Sequence, residues 1–103
     1  MRAELNNSKK NWETMLGALA DRNRLLIVNE LLKRASSVND LASALCIQTY
    51  NISKHLKVLE ERGLVLKRKC GIKRIYKISE DLHSRSSQSR RILDLGCCTF
   101  VFS

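Results

Sequence analysis

The sixteen residues from Tyr50 to Val65, YNISKHLKVLEERGLV, leave this chain few folds to choose from. Ile52, Leu56 and Leu59 recur at i, i+4 and i+7, so they share one helical face. Tyr50, Lys54, Lys57 and Glu61 fall on the opposite face. Gly63 then stops the helix, and Leu64-Val65-Leu66 opens a strand-like run. A short helix with an apolar back and a front of basic, amide and hydroxyl groups has the chemistry of an element that enters the major groove of DNA.

The flanking sequence supplies context for that helix. Leu41, Ala42 and Leu45 point inward from a short helix over Val38–Leu45, and Ser37 with Asp40 three residues on has the form of a capping box. Cys46-Ile47-Gln48 leaves only a tight turn before the helix of Thr49–Arg62 begins, so the two form a helix-turn-helix. From Leu64 to Ser79 the residues become β-branched and aromatic around Cys70-Gly71, which predicts a β-hairpin turning there. Six cations decorate it: Lys67, Arg68, Lys69, Lys73, Arg74 and Lys77. A basic hairpin directly after a groove-reading helix is a wing.

Upstream, Trp12, Met15, Leu16, Leu19 and Ala20 form an amphipathic stripe, predicting a helix from about Ser8 to Ala20 with Ser8 as N-cap. Asp21 is placed to cap a second, largely buried helix carrying Leu25, Leu26, Ile27, Val28, Leu31 and Leu32 and ending near Arg34. Ser36-Ser37 reads as a break. No proline occurs, so caps and glycines must set the helix ends. The fold class is therefore mainly α with a small β-hairpin, a winged helix-turn-helix over 1–83. The tail of 84–103 is polar through its serines, then apolar; Thr99, Val101, Phe100 and Phe102 favour a strand.

The charge balance agrees with a polyanionic partner. The net charge is +9, from 19 Lys and Arg against 10 Asp and Glu. No apolar run approaches the roughly 20 residues of a membrane span, and no signal-peptide stretch opens the chain, so a cytoplasmic location with reduced cysteines is expected. With four glycines and no nucleophile–base pairing or paired carboxylates on one helical face, the chain offers no catalytic constellation.

The residues expected at DNA are Gln48, Thr49, Tyr50, Asn51, Ser53, Lys54, His55 and Lys57 on the helix, and Lys69, Lys73 and Arg74 near the hairpin tip. Asparagine can pair with adenine and lysine can donate to guanine, whereas Lys57 is placed to hold a phosphate. His55 lies beside the apolar face, where a structural or phosphate-contacting role outweighs metal ligation. The wing cations suit phosphate or the minor groove, and the same charges would also protect an edge strand.

The succession ALADRNRLLIVNELL, DLASAL, NISKHLKVLEERGLV and IKRIYKI resembles the ArsR-type winged-helix repressors over about Leu16 to Ile78. That resemblance implies a homodimer that binds a double-stranded operator and releases it on binding an effector, often a metal or metalloid. It also implies dimer contacts from the first helix (Trp12, Met15, Leu16 and Leu19) and the C-terminal element. Two positions depart from the pattern: Arg22 stands where proline usually follows the aspartate, and Cys46 stands where the turn usually has glycine.

The usual metal-binding pairs do not carry over. Ser37 and Asn39 occupy the positions of a cysteine pair at the start of the third helix, and Asp81-Leu82-His83 has no second histidine after it. The adjacent Cys97 and Cys98 remain as candidate ligands for a thiophilic metal or metalloid effector, against the alternative that they are small apolar residues in an interface. A different class of reading is a winged-helix interaction module without operator specificity.

Overall fold

The computed structural model describes residues 12–80, 82, 92–95 and 99–102. Helix α1 spans Trp12–Leu19, α2 Arg22–Lys33, α3 Val38–Leu45 and α4 Thr49–Glu61. Strands are β1 (Ser36–Ser37), β2 (Val65–Cys70), β3 (Lys73–Ile78), β4 (Ile92–Asp94) and β5 (Thr99–Val101). The expected N-cap Ser8 lies outside the described residues.

Local chemistry sets each boundary. Asp21 takes extended backbone before α2, and its carboxylate accepts the amides of Asn23 (2.8 Å) and Arg24 (3.1 Å). The α3 capping box forms as expected: the Asp40 amide donates to Ser37 Oγ at 3.1 Å, and the Ser37 amide donates back to Asp40 at 3.3 Å. Gly63, at φ 83°, ends α4 in a Schellman motif. The Gly63 amide reaches Glu60 O (3.1 Å) and the Leu64 amide reaches Leu59 O (2.9 Å). Leu59 and Leu64 are both fully buried, which is the apolar contact that usually accompanies this motif.

One core joins all four helices to the root of the sheet. It contains Met15, Ala18 and Leu19 from α1, Ile27, Val28, Leu31 and Leu32 from α2, Leu41 from α3, and Ile52, Leu56 and Leu59 from α4. Val65, Tyr76 and Ile78 add the base of the hairpin. Leu82, Leu93 and Leu95 belong to the same core, and Phe100 and Phe102 of the tail pack against it.

The sheet departs from expectation in two ways. It has three antiparallel strands in the order β1-β3-β2, because Ser36 and Ser37 pair with Tyr76 and Ile75. The serine pair is therefore a strand and not a break; two residues are too few to display a period of two. The hairpin also turns one residue later than Cys70-Gly71: Cys70 pairs with Lys73, leaving Gly71-Ile72 as the loop. Gly71 has φ 67° and Ile72 does not share the positive φ, the arrangement of a two-residue loop with glycine at its first position. At the C-terminus, β4 and β5 pair antiparallel, in line with the strand preference of the sequence there.

Candidate nucleic-acid interface

The turn between α3 and α4 is held by an unusual corner. Cys46 adopts φ 57°, ψ 44°, the left-handed region that disfavours any residue with a Cβ. It is the only non-glycine residue with positive φ among the described residues. The Ile47 amide closes the corner onto Ala42 O at 3.2 Å. Gln48 then serves as the N-cap of α4 with no capping bond from its side chain, which stays exposed.

Ile52, Leu56 and Leu59 are completely buried, so α4 cannot roll about its axis without breaking the core. Burial of each such side chain stabilises by about 1.5–3 kcal/mol. The outward face carries Thr49, Tyr50, Ser53, Lys54 and Lys57, all exposed, with Asn51 half-buried at its edge. Tyr50 is 70% exposed, and the Lys54 ammonium sits 5.3 Å from its ring centroid. A cation over an exposed ring is worth about 0.5–1 kcal/mol, enough to bias where Lys54 points before any partner arrives.

His55 turns away from this face. It is half-buried, with Nδ1 3.3 Å from Arg24 Nη1. Arg24 also donates through Nε to Ala18 O and lies 3.9 Å from the Asp21 carboxylate. One guanidinium thus joins the end of α1, the cap of α2 and the middle of α4. The structure makes His55 part of that positioning network. Sequence reasoning missed Arg24, because its partner on α4 is 31 residues away and no local spacing signals it. Arg62 adds a second tether, donating to Thr14 O on α1 at 3.4 Å. The Asp21 carboxyl is held below its ordinary pKa, first by the Arg24 amide; burial opposes this, and the Arg24 guanidinium, His55 and the Asn23 amide lower it further.

The hairpin is built differently. Only Val65 of β2 is buried, and β3 sends in only Tyr76 and Ile78. At about 3.3 Å per residue, the strands carry the tip roughly 17 Å beyond Val65. Lys69, Lys73 and Arg74 are exposed there, as expected. Lys69 pairs directly opposite Arg74 across the ladder. Like charges so placed destabilise a sheet, and an anion between them removes the penalty. At the root, Lys77 is neutralised by Glu80 at 2.9 Å. Beneath the wing, an open groove of about 630 Å³ runs between Lys69, Lys73 and Arg74 on one side and Ser37, Asn39 and Asp40 on the other. Asp40 is held below its ordinary pKa by the Ser37 amide and hydroxyl first, then by Lys73 and Arg34.

Of the residues expected at a dimer contact, Met15 and Leu19 are 4% and 2% exposed, taken up by the chain's own core. Leu16 is half-buried, and the Trp12 side chain lies outside the described part. Cys97, Cys98, Asp81 and His83 also lie outside the described residues. Cys46 and Cys70 are exposed free thiols, and no cluster of three His, Cys, Asp or Glu side chains suited to a metal occurs among the described residues. No helix there is long and apolar enough to cross a membrane.

The family described as "Bacterial regulatory protein, arsR family" matches residues 21–67, which run from the α2 cap into the first strand of the wing. The chain is 39% identical over 61 residues to the HTH-type transcriptional regulator Rv2034 of Mycobacterium tuberculosis, matching 59% of this chain and 57% of that protein's length. Among solved structures it is similar to reduced HlyU from Vibrio cholerae, with 32% identity, TM-score 0.69 and coverage of 82% of this chain and 88% of that one. It is also similar to the homodimeric winged helix-turn-helix DNA-binding domain of Mb0332 from Mycobacterium bovis, with 25% identity, TM-score 0.71 and coverage of 82% and 78%. These relatives are regulators and not enzymes. The chain belongs to the arsR family of bacterial regulatory proteins, and its fold is a winged helix-turn-helix.

Proposed function

We propose that this protein binds double-stranded operator DNA as a homodimer and represses transcription until an effector releases it. The observation that carries the reading is the outward face of α4. Thr49, Tyr50, Asn51, Ser53 and Lys54 are presented on a helix whose back is locked by three fully buried residues. In the major groove, Asn51 and Lys54 are the base-reading groups, and Lys57, Lys69, Lys73 and Arg74 hold phosphates and flanking DNA. Occupying promoter DNA is then sufficient to repress.

Fluorescence anisotropy on a duplex that the protein enriches from a random library tests this. The parent should prefer that duplex to random DNA by orders of magnitude, with affinity falling steeply with salt. Lys54→Ala should abolish the preference. Weak, sequence-blind binding by the parent would instead favour an interaction module.

The dimer face in this reading runs through α1 at Trp12 and Leu16 and through the C-terminal hairpin, where Val101 is 73% exposed. Sedimentation should give a dimer for the parent and a monomer for Leu16→Asp combined with Val101→Asp. The effector in this reading is a thiophilic metal or metalloid held by Cys97 and Cys98. Titrating the DNA complex with arsenite, zinc and an oxidant, in the parent and a Cys97→Ser/Cys98→Ser variant, tests it. Release by arsenite that survives the double substitution would remove the tail from the sensing role.

A further inference from the structure

We propose that Ile72 is an apolar wedge that the wing inserts between base pairs in the minor groove, an inference that rests on the DNA-binding reading above. Four large apolar residues are exposed among the described residues: Tyr50, Leu66, Ile72 and Val101. Ile72 is the extreme case at 103%, so its side chain packs against nothing in its own chain. It occupies the second position of the Gly71-Ile72 loop, the outermost point of the wing. Hairpin tips favour Asn, Gly, Asp and Ser, and a bare isoleucine there adds nothing to the turn.

What surrounds Ile72 identifies its partner. Lys69, Lys73 and Arg74 lie within three residues of it, and the mutually repelling Lys69–Arg74 pair is the last but one rung of the ladder. An apolar protein surface would have to desolvate those cations. The minor groove satisfies them with phosphates on both rims, and opening one base step at its floor exposes apolar base faces to an inserted side chain. Proteins that bind there pair Arg and Lys with an inserted Ile, Leu, Phe or Met that opens one base step and bends the duplex. The narrow, two-stranded tip has the cross-section for this, and Gly71, which has no neighbouring atom within 4 Å of where its Cβ would lie, adds no bulk beside the wedge. The wedge would favour flexible pyrimidine–purine steps, which unstack most easily, and so set sequence preference at positions α4 does not touch.

The test uses the parent, Ile72→Asn and Ile72→Leu on the enriched duplex, with 2-aminopurine placed in turn at each step of the segment under the wing. The parent and Ile72→Leu should raise 2-aminopurine fluorescence at one step and bend the duplex, read by end-to-end energy transfer. Ile72→Asn should lose both signals and bind about tenfold more weakly, the scale of one isoleucine's burial offset by unstacking. Its melting temperature should match the parent's, since the side chain has no packing to lose. If Ile72→Asn keeps its affinity within twofold and no step brightens with the parent, the wedge is wrong while the DNA-binding reading stands. If the parent enriches no duplex, both fall. Loss on Ile72→Asn of binding to vesicles of anionic phospholipid, with DNA binding intact, would overturn the proposal in favour of a membrane surface.

Discussion

Helix α4 and the β2–β3 wing flank the same surface and are built on opposite principles. The helix turns three residues completely inward and is tied to α1 and α2 through Arg24, His55 and Arg62. The wing leaves five of the six β2 residues exposed and is anchored only at its root, by Val65, Tyr76, Ile78 and the short β1 clasp. Orientation is thus determined by apolar packing in one element and by backbone pairing in the other. A side chain that must meet a particular base edge needs the first kind of support. A chain of cations that must find phosphates tolerates the second.

The contrast is most exposed to refutation in the core. Leu56→Ala should destabilise the protein by about 2–5 kcal/mol in urea denaturation, because it opens a cavity beneath α4. Leu66→Ala on the wing should change stability by less than about 0.5 kcal/mol, as a surface substitution. Comparable losses at the two sites would show that the wing carries more of the fold than its burial implies. On DNA, Lys69→Ala and Arg74→Ala should each weaken binding nearly uniformly across sequences and reduce the salt slope by about 1. Each should also raise thermal stability slightly, since removing one of two opposed cations relieves about 0.2–1 kcal/mol of repulsion. Substitution of a wing cation, Lys69 or Arg74, that changed sequence preference as Lys54→Ala is expected to do would erase the division of labour between base-reading helix and phosphate-holding cations.

A smaller effect is expected at the corner that aims α4. Cys46→Gly should stabilise by about 0.5–1 kcal/mol, the left-handed penalty less the added freedom of the unfolded chain. Calorimetry would read this as a modest rise in melting temperature, and a fall would mean that the cysteine side chain contributes a contact worth more than its strain. The smallest effect concerns pH. The folded-state pKa of Asp21 and Asp40 lies below the ordinary 3.8. The stability they supply is therefore present above that value and lost as pH falls through their lower folded values. Urea midpoints measured from pH 5 to pH 2 should fall less steeply for Asp40→Asn than for the parent.

The parts of this molecule legible in sequence are those determined within one or two helical turns. The Ser37–Asp40 box, the Asp21 cap, the Gly63 stop and the buried back of α4 are all local patterns, and all appear where expected. What was not legible depends on distant partners. Ser36-Ser37 becomes a strand only because β3 returns beside it. The α1 stripe shows that Met15 and Leu19 are covered, but its periodicity is the same whether the cover is the chain's own core or a second copy. Arg24 looks like any first-turn cation until α4 is folded against it. The one-residue error at the wing turn has a chemical cause: Ile72 is β-branched and reads as strand, though it sits in the loop.

The two-residue clasp gives the chain a closed circuit. Ser36 and Tyr76 are 40 positions apart and lie side by side, so α3, α4 and the whole wing form one tied loop. Lengthening such a loop costs only about 0.6 kcal/mol for each doubling of its length. Residues can therefore be inserted at Gly71-Ile72 over evolutionary time with little thermodynamic consequence, and the wing can be remade to suit new DNA. Ser37 has no such freedom, because one residue both pairs with β3 and caps α3. In a lineage of such proteins, the tip is where sequence can drift and the clasp is where it cannot.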